Sequence, residues 1–262
     1  MRRTLLCALT CLFLSFEAFS TLEADIILTG IGTAEIEDFT GFTASGFAPG
    51  GGSGKLDSNT FATSGWSNGS VEFGGSNDSG DFARGSSSGN ESSGGIYAFN
   101  HDGAGDVGVG FQPGGSDFTP GDLTVRIGNS TGQSLSSFEI DFDIGALNNT
   151  ERANSLNFSW STDGTNFTDV GTLDFVSAEA SDSNGWNLVD RNSTISFSNS
   201  LDNGNQFFLR WTGNDVSGSG SRDEFVLDNI SVTGFAAAVP EPSSFIFSGL
   251  GLATVVLRRR RR

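Results

Sequence analysis

The chain is 262 residues long and carries 31 acidic against 14 basic side chains, for a formal net charge of −17. A surface this acidic repels nucleic acid and anionic lipid, which argues against both as partners of the folded region. One histidine and two cysteines serve transition-metal and thiol chemistry poorly, and 37 glycines beside 24 phenylalanines, with few aliphatics, count against an α/β fold.

The N-terminus reads as an address rather than as part of a fold. Met1-Arg2-Arg3 is a charged n-region and Leu5 to Phe16 an apolar h-region. Small residues follow, so cleavage after Ser20 or Ala24 is expected, and residues 1–24 are assigned to a secretory signal. Thr4-Leu5-Leu6 lacks the rest of a twin-arginine signal, which leaves the general export pathway. Cys7 and Cys11 both lie inside this segment, without the small-residue setting of a lipoprotein site. The exported protein is therefore expected to contain no disulfide. Loss of the signal and of the C-terminal tail described below also sheds seven arginines but only three acids, which makes the remainder more acidic than the whole.

Residues 25–238 are rich in Gly, Ser, Asn, Asp and Thr, interrupted by Phe and Val. Short alternating runs between turn clusters predict one all-β domain, an antiparallel sandwich of two stacked sheets. Asp25 to Ile31 is a first strand. Phe39-Thr40-Gly41-Phe42 opens a glycine-laden stretch through Gly54 that reads as loop or edge. Leu56 to Trp66 and Val71 to Phe73 are strands around Ser67-Asn68-Gly69, and Ser76 to Ser93 reads as a polar surface loop. Gly95 to Phe99 and Val107 to Phe111 follow. Leu123 to Ile127 and Phe138 to Ile144 alternate apolar and polar, as strands with one face in the core and one in water do. Leu156 to Trp160 and Phe167 to Val170 flank Asp163-Gly164, a hairpin turn in which glycine supplies the positive φ. Phe207 to Trp211 and Phe225 to Val232 close the series. Twenty-four Phe and four Trp give such a sandwich enough bulk without cross-links.

Little in this region points to a reaction. His101, in Asn100-His101-Asp102-Gly103, reads as a solvated turn residue. Gly85-Ser86-Ser87-Ser88-Gly89 matches a nucleophile elbow only formally, since it lacks the flanking strand and helix. Gly105-Asp106-Val107-Gly108-Val109-Gly110 has no βαβ context and is no dinucleotide site. Asp141 and Asp143 share one strand face, but a glycosidase needs two carboxyls across a cleft. No catalytic residue is assigned and the protein is read as a non-enzyme. Hard oxygen ligands suit calcium, and Asp223, Glu224 and Asp228 beside the last strand are the candidates for a structural Ca2+ ion. Tyr97, Trp160 and Trp186 are aromatics that would stack on sugar rings if exposed; core packing is their default role. Asn68, Asn129 and Asn229 head Asn-x-Ser/Thr sequons, which a chain of this composition produces by accident.

Residues 239–262 differ in kind from everything before them. Pro240 and Pro242 fix φ and remove two backbone donors, so Pro240-Glu241-Pro242 forms an extended, accessible joint. Residues 243–257 are uncharged and apolar, and read as a transmembrane helix. Fifteen residues rise about 22 Å as a helix, short of a hydrocarbon core of about 30 Å, so flanking side chains must snorkel or the bilayer must thin. Arg258, Arg259, Arg260, Arg261 and Arg262 then fix the orientation, because such a block stays on the cytoplasmic side.

Joint, apolar span and arginine block together closely resemble the PEP-CTERM sorting signal of exopolysaccharide-producing Gram-negative bacteria. The resemblance implies recognition by an exosortase, a membrane-embedded cysteine transpeptidase, with cleavage near Pro240-Glu241-Pro242. It further implies an inner-membrane-anchored precursor and a mature form at the outer surface or in the extracellular polysaccharide matrix. Asp223-Glu224-Phe225-Val226-Leu227-Asp228-Asn229-Ile230, preceded by Phe208-Leu209-Arg210-Trp211, resembles the closing strands of MAM-type and related jelly-roll modules. Asp117 to Gly121 and Gly94 to Phe99 are similar to ectodomains that precede such tails. A structural, adhesive or exopolysaccharide-associated role follows from the resemblance. The alternatives are a carbohydrate-binding module or polysaccharide-active enzyme delivered by the same route, and a permanent single-span protein.

Overall fold

A computed structural model describes residues 26–237. The signal segment, the Pro240-Glu241-Pro242 joint, the apolar run 243–257 and the arginines 258–262 lie outside the described residues. Within 26–237 the first strands are short: β1 (Ile26–Leu28), β2 (Ala34–Glu37), β3 (Phe47–Ala48), β4 (Leu56–Asp57), β5 (Phe61–Trp66) and β6 (Gly69–Val71). A 3-10 turn (Gly80–Phe82) precedes β7 (Ser86–Ser87), β8 (Gly95–Asn100) and β9 (Val107–Gln112). The second half contributes β10 (Gly121–Asn129), β11 (Leu135–Leu147), β12 (Arg152–Ser161), β13 (Thr168–Asp169), β14 (Phe175–Val176), β15 (Trp186–Leu201), β16 (Gln206–Gly218) and β17 (Glu224–Ala236).

These strands make two large sheets. One runs β13-β12-β16-β10-β5-β6, with β1 beside β10 and β14 beside β12; the other runs β15-β11-β17-β9-β8-β7, with β2 beside β17. The long strands pair antiparallel, as the alternation predicts. Three short ones do not: β1, β4 and β7 lie parallel to β10, β3 and β8. The result is an all-β sandwich of mixed sheets.

Side-chain parity decides what each face does. In β10, Leu123, Val125 and Ile127 are buried while Asp122, Thr124 and Arg126 turn to the outer face. In β11, Phe138, Ile140, Phe142 and Ile144 point inward and Glu139, Asp141 and Asp143 outward. The two inner faces meet ring to ring. Phe138 packs on Trp160 and Phe207, and Phe142 on Phe158 and Trp211, with centroids 4.6–5.7 Å apart. Such pairs add about 0.5–1.5 kcal/mol each beyond the area they bury. The Asp163-Gly164 hairpin forms as expected, with Gly164 at φ 70° and Trp160 opposite Thr168. Glycines in Val107-Gly108-Val109-Gly110-Phe111 serve a packing purpose: a Cβ at Gly110 would stand 2.0 Å from the Phe99 ring. Phe99 and Val226 can therefore lie flat against the outside of the second sheet, where Tyr97 and Trp186 join them.

Four segments depart from the sequence reading. The stretch from Phe39 to Gly54 is irregular apart from the two-residue β3, but it is no peripheral loop: Phe39, Phe42, Ala44 and Phe47 all enter the core. Leu56 to Trp66 is broken between β4 and β5 by Ser58, Asn59 and Thr60. Residues 76–93 hold a 3-10 turn and β7, and they bury Phe82 and Asp81. Residues 171–206, to which no strand was assigned, contain the sixteen-residue strand β15. It sits at a sheet edge and sinks only Ile195, Phe197 and Leu201 into the core, so its sequence is dominated by polar residues.

Candidate functional site

Two acidic centres are built on β17. Asp228 is fully buried and its Oδ2 lies 2.9 Å from His101 Nε2, while its Oδ1 accepts the N–H of Asn229 at 2.8 Å. His101 reaches it from the β8–β9 turn. That turn is fixed by Asp102, whose Oδ1 accepts the N–H groups of Ala104, Gly105 and Asp106 at 2.7, 3.1 and 3.2 Å. His101 is thus not the solvated turn residue of the sequence reading, for its side chain is only 7 % exposed. One atom each from His101, Asp106 and Asp228 falls within 4.8 Å of the others. A divalent ion could enter there only by displacing the His101–Asp228 hydrogen bond. Glu37 on β2 flanks the cluster, and burial first, then Asp38 and Asp228, push its carboxyl up.

The hydrogen bond to Asp228 holds the His101 imidazole above its ordinary value, against the opposing effect of burial. A base with a raised folded pKa stabilises the fold fully below its unfolded value of about 6.5, and the contribution is lost as pH rises through the folded value. His101→Gln is therefore expected to cost about 1.5–3 kcal/mol at pH 5.5, the range for a hydrogen bond to a charged group. At pH 9 the cost should be smaller. Urea unfolding at the two pH values measures this, and an equal cost at both would rule out the pH dependence.

The second centre lies at the start of β17. Asp223 Oδ1 accepts the N–H and Oγ1–H of Thr150 at 3.1 and 2.9 Å, and Glu224 Oε1 accepts the N–H of Glu91 at 2.6 Å. Burial pushes Glu224 up to about 7 and raises Asp223 as well. Asp223, Glu224 and Asp228, expected to share one calcium ion, are not brought together. Glu224 and Asp228 occupy the same face of β17 with Val226 between them, about 13 Å apart at the usual strand rise. The three acids divide into one pair and one residue committed to a histidine.

The outer face of the first sheet carries a groove. Arg210 on β16 lays its guanidinium 3.8 Å from the Phe167 ring centroid, and Arg126 on β10 sits 4.8 Å from that of Phe73. Asp122 accepts from Thr212 Oγ1 at 2.5 Å and from Ser64 Oγ at 3.4 Å. Phe73, Phe167, Arg210, Asp122 and Thr124 line a hollow of about 240 Å³, and Arg210 also borders a second of about 280 Å³ with Asn157, Ser159 and Asn214. Half-buried rings beside fixed donors and acceptors suit a polar ligand that has flat apolar faces. Sequence reasoning missed this groove, because Phe73 lies just beyond β6 and Phe167 just before β13, and nothing local shows that both overhang β10 and β16. The aromatics it singled out lie elsewhere: Trp160 belongs to the core, Tyr97 stacks on Phe99, and Trp186 donates Nε1–H to Ser88 O at 3.0 Å.

Among the described residues no helix is long and apolar enough to cross a membrane. A search of curated proteins finds no sequence match. Solved structures with some likeness include CBM28, a carbohydrate-binding module specific for non-crystalline cellulose, at 14 % identity and a TM-score of 0.34, over 57 % of this chain and 83 % of that one. Another is TmCBM61 in complex with β-1,4-galactotriose, at 12 % identity and a TM-score of 0.31, over 53 % and 81 %. A third is the K3 cleaved adhesin domain of Lys-gingipain from Porphyromonas gingivalis, at 13 % identity and a TM-score of 0.31, over 49 % and 74 %. Likeness at this level does not extend to function, and the sandwich stands on its own strand pairing. The tail is a different matter, for residues 238–262 match the PEP-CTERM protein-sorting motif across the Pro-Glu-Pro joint, the apolar run and the arginine block. The chain is therefore a β-sandwich protein that carries a PEP-CTERM sorting motif.

Proposed function

We propose that this is an exported, non-enzymatic protein of the cell envelope or extracellular matrix, held in the inner membrane as a precursor and released by an exosortase acting near Pro240-Glu241-Pro242. The sandwich then has a structural or adhesive role in association with extracellular polysaccharide. The sorting motif at residues 238–262 carries this reading. It begins two residues after β17 ends at Ala236, so cleavage near the joint would leave the last strand whole. Mass spectrometry of secreted material tests the proposal: the mature form should end upstream of residue 243, and a mature form that retains Arg258–Arg262 would overturn it.

A second reading, that the sandwich itself binds glycan, is supported by the groove over Phe73, Phe167 and Arg210. On this reading Phe167→Ala and Arg210→Ala should each weaken binding to native exopolysaccharide about ten-fold, or about 1.4 kcal/mol. Affinity electrophoresis reports this directly. Unchanged mobility of both variants would leave the structural role alone.

A further inference from the structure

The start of β17 presents oxygens without donors. Asp223 Oδ2 and Glu224 Oε2 are shut from solvent and meet no hydrogen-bond partner among the described residues, and the same holds for Gln112 Oε1 and Asn149 Oδ1. Asp223, Glu224 and Gln112 are 0, 1 and 3 % exposed. Ser177 and the Asn149 amide stand near enough to Asp223, and the Asn90 and Glu224 amides near enough to Glu224, to favour the ionised forms, but none of the four has hydrogen-bond geometry to the unpartnered oxygens.

A ring of contacts ties these groups together. Gln112 Nε2 donates to Arg222 O at 3.0 Å, next to Asp223, and the β9–β17 register that sets Phe111 opposite Phe225 makes Gln112 the cross-strand neighbour of Glu224. Glu224 holds Glu91 N–H, and Asn149 Nδ2 donates to Asn90 Oδ1 at 3.2 Å. Thr150, next to Asn149, returns the ring to Asp223. Every unpartnered atom named is an acceptor, two of them on adjacent carboxyl groups.

Among the described residues no cation is paired with them. Arg84 is paired with Asp81, and Arg152 and Arg222 face Asp215. A buried acceptor without a partner costs about 1–3 kcal/mol, more for a charged one, so such a set calls for a positive charge from outside the chain.

We infer that Asp223 and Glu224, with the side-chain oxygens of Gln112 and Asn149, form a calcium-binding site. Two carboxylates balance a doubly charged ion, and an all-oxygen donor set is the chemistry calcium takes. Magnesium, which keeps most of its water and demands a tight octahedron, suits a buried site of this kind less well. The ion would join three segments: the β7–β8 loop through Asn90 and Glu91, the β11–β12 turn through Asn149 and Thr150, and the entry to β17 through Asp223 and Glu224. Asp228 has no part in it.

Calorimetric titration of the purified, EDTA-treated protein with CaCl2 tests the inference. It should show one site, a melting temperature that rises with calcium, and a much weaker response to MgCl2. The double variant Asp223→Asn, Glu224→Gln should lose binding, and Gln112→Leu, which removes one neutral oxygen and no charge, should weaken it several-fold. Asp228→Asn should leave the calcium affinity within about two-fold, because its carboxylate stands about 13 Å along the strand. Absence of heat and of a thermal shift in the folded wild-type protein up to about 10 mM calcium, beyond the usual range of extracellular calcium modules, would overturn the site. So would undiminished binding in the double variant or in Gln112→Leu.

Discussion

Trp211→Ala is expected to lower the unfolding free energy by about 3–5 kcal/mol, the range for truncating a fully buried aromatic side chain. Trp211 sits at the inner face of β16, inaccessible to solvent. Phe142 meets it edge-on at 5.2 Å and 90°, and Phe158 at 5.2 Å and 70°. The indole therefore touches both its own sheet and the opposite one, and alanine would open a cavity that neither sheet can close without moving the other. Since small domains are stable by only about 5–15 kcal/mol, the variant should be partly unfolded at 37 °C. Trp211→Phe should cost far less. The indole Nε1–H finds no acceptor, so the smaller ring forfeits contact area but no hydrogen bond. Urea midpoints of the two variants check the ordering, and equal midpoints would contradict this account of the core.

The largest effect on fate rather than stability is expected in the tail. Replacing Arg258–Arg262 with serine should cause the precursor to accumulate and the mature form to fall by about ten-fold or more. On the proposed reading, residues 243–257 would be an anchor about 8 Å shorter than the hydrocarbon core if helical, and would depend on flanking charge to hold place and direction. Pro240→Ala with Pro242→Ala should leave insertion intact and block processing instead, because it alters the joint and not the anchor. Immunoblots of membrane and medium fractions separate the two phenotypes. Normal release of the serine variant would remove the arginines from the proposal, and normal release of the alanine variant would remove the joint.

What could be read in advance was what neighbours in sequence decide. Leu123 to Ile127 and Phe138 to Ile144 announce β10 and β11 because their alternation is imposed by one buried face. Asp163-Gly164 announces a hairpin because turn conformation is local. Phe39, Phe42 and Ala44 carry no such signal: they enter the core from irregular backbone, held by contacts with distant strands. β15 was hidden because an edge strand packed on one neighbour tolerates polar residues along most of its length. Both acidic centres rest on pairings that sequence distance conceals, His101 with Asp228 across 127 residues and Glu91 with Glu224 across 133. Of Asp223, Glu224 and Asp228, named together in the sequence, the last is set apart by its distance along the strand and by its own partner, His101.

The position of β17 bears on how the sandwich would withstand tension. It is thirteen residues long and lies inside its sheet, bonded along one edge to β11 and along the other to β9 and β2. Hydrogen bonds between antiparallel strands run across the strand axis. A pull on the C-terminal end of β17, directed along it, therefore strains both rows of bonds sideways at once and does not unzip them one by one. A filament or surface tethered through this end would draw on the shear strength of the whole sheet.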